Sequence, residues 1–183
     1  MKKFLIIIAI IAIYIAGYFG YKEYHYYTSR KQLNQYKDVL PNADEMNSQY
    51  DLDIDIIPAV IEDDTIPHII NHYKSNTHSS MNCWIEMCLA DDKQASYGEI
   101  VSAYYRMIET RDSSLIYDQN NLLIYIVETD PAYYFAVYHT EDLVFYIYYD
   151  TEYSPVTVYD HQDDVISTVL IYTDMIDQKL NNQ

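Results

Sequence analysis

Glycine is nearly missing from this chain, with three in 183 residues, and only Gly98 lies beyond Gly20. A phosphate-cradling loop and a G-x-S-x-G nucleophile elbow both need glycine where the backbone turns sharply or meets a ligand, so neither can be built. Cysteine is limited to Cys83 and Cys88, too few for a disulfide framework. Their C-x4-C spacing is not the C-x-x-C of zinc and redox sites. Basic residues are also scarce, 11 Lys and Arg against 28 Asp and Glu, for a formal net charge of −17. Between Asp112 and Gln178 there is no Lys or Arg, while thirteen Asp and Glu and eleven of the 23 Tyr fall there. Such a surface repels nucleic acid and attracts basic partners.

What is abundant comes first in the chain. Lys2 and Lys3 precede FLIIIAIIAIYIAGYFGY, eighteen uncharged residues from Phe4 to Tyr21. As a helix this run spans about 27 Å, enough to cross a bilayer. A cleaved signal would need a shorter apolar region and a small-x-small site, yet Ile15, Tyr18 and Tyr14 stand two positions before Gly17, Gly20 and Ala16. The run therefore reads as an uncleaved anchor over 1–21 that meets the lipid bilayer through residues 4–21. Tyr18, Tyr21, Tyr24, Tyr26 and Tyr27 follow as an aromatic belt. A short N-terminal tail before a large domain resembles a signal anchor, so the expected location is a single pass through the inner or cytoplasmic membrane, with the C-terminal domain outside the cytoplasm. A helical stalk is expected over 22–40, ended by Pro41, and a single acidic α+β domain over 41–183.

The stretch DLDIDIIPAVIE, Asp51 to Glu62, matches the acidic positions of a calcium loop at Asp51, Asp53, Asp55 and Glu62. Its glycine position holds Ile56, for which a positive φ costs about 1–2 kcal/mol. Three aspartates on one face of a strand repel by only about 0.6 kcal/mol per neighbouring pair in water. A strand with Leu52, Ile54 and Ile56 inward is the better reading, and no metal is expected.

Further along, the pattern predicts a helix near Ile66 to Tyr73 and a helical piece around Cys83. Another follows Ser96-Tyr97-Gly98-Glu99, a capping box, with the stripe Ile100, Val101, Tyr104, Met107 and Ile108. The period then changes to two, predicting strands at 115–117, 122–128, 133–139, 143–149 and 156–160, joined by short turns. Val165 to Leu180 reads as a final helix behind Asp163 and Asp164. The expected fold class is α+β: an N-terminal transmembrane helix, then helices and an antiparallel β-meander with a C-terminal helix.

Pleat arithmetic over the three central strands puts Ile124, Ile126, Phe135, Val137, Phe145 and Ile147 on one face. It puts Tyr125, Tyr134, Tyr138, Tyr146 and Tyr148 on the other. With Glu141, Asp142, Asp150 and Glu152 at the strand ends, these tyrosines form the expected partner-binding surface, since tyrosine gives large contact area at low entropy cost. The alternative is that helices cover this face. NCWIEMC leaves open either a bridge between Cys83 and Cys88 or two buried thiols beside Trp84 and Met87. His68 and His72 would share a helix face with Asp64, and His78 could join them, but H-I-I-N-H lacks the glutamate of a zinc hydrolase. His139 with Glu141 is the only other acid–base pair considered. No enzyme, cofactor or metal is expected. What the sequence suggests is an anchored acidic domain that sequesters a basic protein, as an immunity protein or inhibitor would, or else an adaptor of an envelope complex.

Overall fold

The structure is a computed structural model that describes residues 2–50, 53–58, 67–75, 77, 81–90, 113–149, 153–154 and 156–182, the side chains of 2–6, 8 and 58 excepted. Its class is α+β, with three helices and one seven-stranded antiparallel sheet among the described residues. The helices are α1 (Lys2–Leu33), α2 (Ala43–Tyr50) and α3 (Gln162–Leu180). The strands are β1 (Ile54–Pro58), β2 (Ile69–Ser75), β3 (Cys83–Leu89), β4 (Ser113–Gln119), β5 (Leu122–Val127), β6 (Tyr133–His139) and β7 (Leu143–Tyr149). Their order across the sheet is β1-β2-β3-β7-β6-β5-β4, two antiparallel runs joined where β3 pairs with β7.

Local chemistry explains most of these elements. Asn120 and Asn121 both take positive φ, 50° and 63°, which is what a two-residue hairpin turn needs to match the twist of β4 and β5. In the next hairpin, β6 to β7, Thr140 closes the turn by donating its N–H to the Leu143 carbonyl and accepting the Leu143 N–H at its hydroxyl. Helix α2, absent from the sequence reading because its stretch has no apolar stripe, is set by a reciprocal cap. The Asn42 N–H donates to Glu45 Oε2 and the Glu45 N–H to Asn42 Oδ1, each at 2.9 Å. Met46 then anchors α2 in the core.

Three expectations are overturned by the sheet. The segment read as a helix near Ile66 to Tyr73 contributes β2, and the one around Cys83 is β3. Residues 156–160 form a turn and a short 3-10 helix (Val158–His161) rather than a strand, leaving only the bridge between Ala132 and Tyr153. The helix expected after Ser96 lies outside the described residues. Around the DLDIDIIPAVIE question, Ile54 is buried, Ile56 half-buried, and Asp53 and Asp55 exposed. Asp53 accepts the hydroxyls of Ser75 at 2.6 Å and Thr77 at 2.7 Å, so its carboxylate is held by protein donors. Asp51, Leu52 and Glu62 lie outside the described residues.

Register fixes which residues share a face. On the first face, Ile54, Tyr73, Cys83, Ile85, Met87, Phe145, Ile147, Ala136, Ile124 and Ile126 line up across the strands. Helix α3 lies over them with Val165, Val169, Tyr172 and Ile176, spaced i, i+4, i+7, i+11 and all fully buried. The second face carries its own buried cluster of Cys88, Val127, Phe135, Val144 and Tyr146. Cys83 and Cys88 therefore point to opposite faces of β3. Neither is in a disulfide and both are buried, which decides for thiols over a bridge.

Helix α1 runs unbroken for 32 residues. Its C-terminal end joins the domain, with Ser29 and Leu33 buried and Leu33 in the same core cluster as Val39 and Leu40. Among the described residues no helix is long and apolar enough to cross a membrane. The side chains at positions 4–6 and 8 of the apolar run fall outside that description.

Candidate functional site

Of the nine residues expected to bind a partner, the seven that are described do not share one surface. Strands β5 and β6 pair with Ile126 opposite Tyr134, Ile124 opposite Ala136 and Leu122 opposite Tyr138. Tyr134 and Tyr138 thus stand on the first face with the isoleucines, and Phe135 and Val137 on the second. The expected grouping of β6 is inverted. Tyr134 is fully buried and donates its hydroxyl to the Val158 carbonyl, while Tyr138 donates to the Asp177 carboxylate on α3. Burial raises both phenols above their ordinary pKa, helped by Tyr153 and then by Asp160 and Asp164 at Tyr134 and by Asp177 at Tyr138, so they remain donors.

Tyr125, Tyr146 and Tyr148 do sit on the second face, but within a core rather than a free surface. Tyr146 is 5% exposed, and Tyr125 and Tyr148 pack half-buried against its cluster. A lateral row crosses all seven strands there: Ile57, His72, Trp84, Tyr148, Phe135, Tyr125 and Leu115. His72 and Trp84 stack with ring centroids 4.0 Å apart, and Phe135 and Tyr148 approach to 5.2 Å. Glu86 lies beside this row, facing His68 Nδ1 at 3.7 Å and accepting the Tyr148 hydroxyl at 3.4 Å. His72 therefore belongs to a strand-borne aromatic array, and His68, just before β2, faces Glu86, instead of the two sharing a helical metal face. Among the described residues no group of three or more His, Cys, Asp or Glu is placed to hold a metal ion. Asp64, His78, Asp150 and Glu152 lie outside the described residues.

Glu141 and Asp142 are exposed at the β6–β7 turn, and the fold gives them company that sequence spacing hides. The C-terminal turn of α3 brings Asp177 alongside, and Tyr36, from the 3-10 helix (Asn34–Tyr36) after α1, donates its hydroxyl to Asp142 Oδ2 at 3.3 Å. Burial, then the Asp142 charge, raises the Tyr36 phenol above its ordinary pKa. Together these groups border an open cleft of about 560 Å³ that also includes Tyr138 and His139 and has no Lys or Arg among its lining residues. Three carboxylates beside the half-buried Tyr36 ring suit the docking of cationic side chains, through charge first and the ring second.

The chain matches no protein-family description, no curated protein and no solved structure.

Proposed function

We propose that this protein is a membrane-anchored, non-enzymatic binding domain that sequesters a basic protein at the membrane, most simply as an immunity protein or inhibitor against a secreted toxin or wall-degrading enzyme. The cleft of Glu141, Asp142 and Asp177 carries this reading, because it concentrates negative charge in a concave site within a stretch that has no Lys or Arg between 113 and 178. The interacting surface shifts accordingly from the tyrosines of the sheet to the acidic end of the domain. Tyr138 serves it from below by holding Asp177.

The membrane part rests on α1. Ile7, Ile10, Ile11, Ile13, Ile15 and Phe19 are each 48% exposed or more and are spread around the helix. Six such side chains left in water forgo roughly 1.5–3 kcal/mol each of available burial, a cost that a bilayer removes. The proposed arrangement places the domain outside the cytoplasm, where a secreted toxin would be met.

The test is capture of envelope and secreted proteins on the full chain held in lipid nanodiscs, with elution by a salt gradient. One stoichiometric basic protein leaving at moderate salt, and not retained by the triple variant E141Q/D142N/D177N, is the expected result. Retention that ignores both salt and the three substitutions overturns the electrostatic reading. Recovery of integral membrane proteins points instead to an adaptor of an envelope complex.

A further inference from the structure

We infer that α1 and the domain form one rigid strut, latched by Lys179, which fixes the height and direction of the acidic cleft relative to the apolar helix. The inference extends the membrane reading above, but it concerns the chain's own joint.

Anchored domains ordinarily follow their membrane segment through a flexible linker, whose end-to-end reach grows with the square root of its length. Here that linker is missing. The helix continues without a break to Leu33, and Ser29 and Leu33 are already buried against the domain. The chain then turns through Asn34–Tyr36, and Tyr36 is the residue that bonds Asp142 in the cleft. From Tyr27, the last exposed aromatic of α1, to Leu33 is six residues, about 9 Å of helix, and the 3-10 turn adds at most about 6 Å. The backbone of Tyr36, at one edge of the cleft, therefore lies within about 15 Å of that of Tyr27 in the aromatic belt.

What closes the joint is the last turn of α3. Lys179 Nζ donates to the Asp38 carbonyl at 2.9 Å and the Leu40 carbonyl at 3.2 Å, and pairs with Glu45 Oε2 at 2.6 Å. The same Glu45 carboxylate caps α2 through Asn42. One ammonium group thus ties three elements, α2, α3 and the 38–40 connection, the last of which begins five residues after α1 ends. A lysine at this position uses all three of its protons, so neither a shorter nor a neutral side chain replaces it. The consequence for function is geometric: tilting or rotating α1 moves the cleft with it, and a partner is met at a set distance from the helix.

The experiment is a pulsed electron–electron distance measurement on the full chain in nanodiscs. Spin labels are attached at Lys22→Cys on α1 and Asp118→Cys on the β4–β5 hairpin; the native Cys83 and Cys88 are buried and unlabelled. The expected result is a single narrow distance distribution, at least doubled in width by K179M and restored by K179R, with circular dichroism confirming that each variant is folded. A broad distribution in the parent chain overturns the strut. An equally narrow one in folded K179M overturns the latch. Flotation with vesicles, and a second distance measurement, are made on the same labelled chain without nanodiscs, so a chain that stays with the aqueous phase refutes the membrane reading and leaves the distance result standing.

Discussion

Tyr138 on β6 and Asp177 on α3 meet hydroxyl to carboxylate across 39 residues of sequence, the polar rivet between the sheet and the helix that covers it. Tyr138 is 6% exposed, so losing the bond leaves little water to replace it. We expect Y138F and D177A each to cost about 1–2 kcal/mol in chemical denaturation of the detergent-held chain, with the double variant no worse than the poorer single one. Simple additivity would mean that the two side chains act independently.

Two other tyrosines in the same core should respond in opposite directions. The Tyr172 hydroxyl donates to the Met81 carbonyl at 3.0 Å, whereas the buried Tyr149 hydroxyl has no partner among the described residues. An unsatisfied buried polar group costs about 1–3 kcal/mol, and one that is bonded contributes about 1 kcal/mol net. Y149F should therefore raise the denaturant midpoint, and Y172F should lower it by about 1 kcal/mol equivalent, both with unchanged slope. A loss of stability in Y149F would show that its hydroxyl is bonded after all.

These tyrosines also show where sequence reasoning stopped. Strands β6 and β7 appear in the sequence with their true boundaries, because short turns of Thr, Asp and Pro bracket them. Which face of β6 is inward could not be read, since Tyr134 and Phe135 are both buried, one on each face. Alternation identifies a core only when the other face is wet, and this sheet is dry on both sides along its centre. The same cause turned β2 and β3 into apparent helices. In IINHYKS and CWIEMCL apolar residues on both faces mimic a helical stripe, and His68 and His72 fall four apart by coincidence. Helix α2 was hidden for the opposite reason, having one buried apolar side chain but a complete capping box at Asn42 and Glu45. At the candidate site, Glu141 and Asp142 were legible as an acidic turn. Asp177 and Tyr36 were not, because only the packing of α3 and the turn after α1 brings them there.

The second face yields a direct check on whether its aromatic residues are core or docking surface. Phe135 is 1% exposed at the centre of the lateral row, while Leu115 at its edge is 49% exposed. F135A should cost about 3–5 kcal/mol, the usual price of removing a buried ring, and L115A no more than about 0.5 kcal/mol. A small effect of F135A would return this face to the list of free surfaces.

Cys83 and Cys88 are five residues apart on one strand, about 16.5 Å, and face opposite sides, well beyond the roughly 7 Å that a disulfide spans. Alkylation after unfolding without reductant should therefore add two labels per chain. Material purified from an oxidising compartment should behave identically to reduced material on a mass spectrum. A chain with no label added would require β3 to be broken between the two thiols.

Glu45 gives the pH dependence a definite sign. Burial raises its carboxyl pKa, but the Asn42 N–H and the Lys179 ammonium lower it more, and the net result lies below the ordinary 4.5. A depressed carboxyl stabilises the fold fully above the unfolded value and loses that contribution as pH falls through the folded one. The melting temperature of E45Q should thus lie below that of the parent at pH 7, with the gap unchanged down to about pH 5 and closing as the pH falls below 4.5. Glu128, whose carboxyl is likewise lowered, by Tyr159 and then Ser114, is common to both chains, so the difference isolates Glu45. If the gap stays constant from pH 7 to pH 3, Glu45 acts through its neutral hydrogen bonds alone, and the Lys179 latch owes nothing to charge.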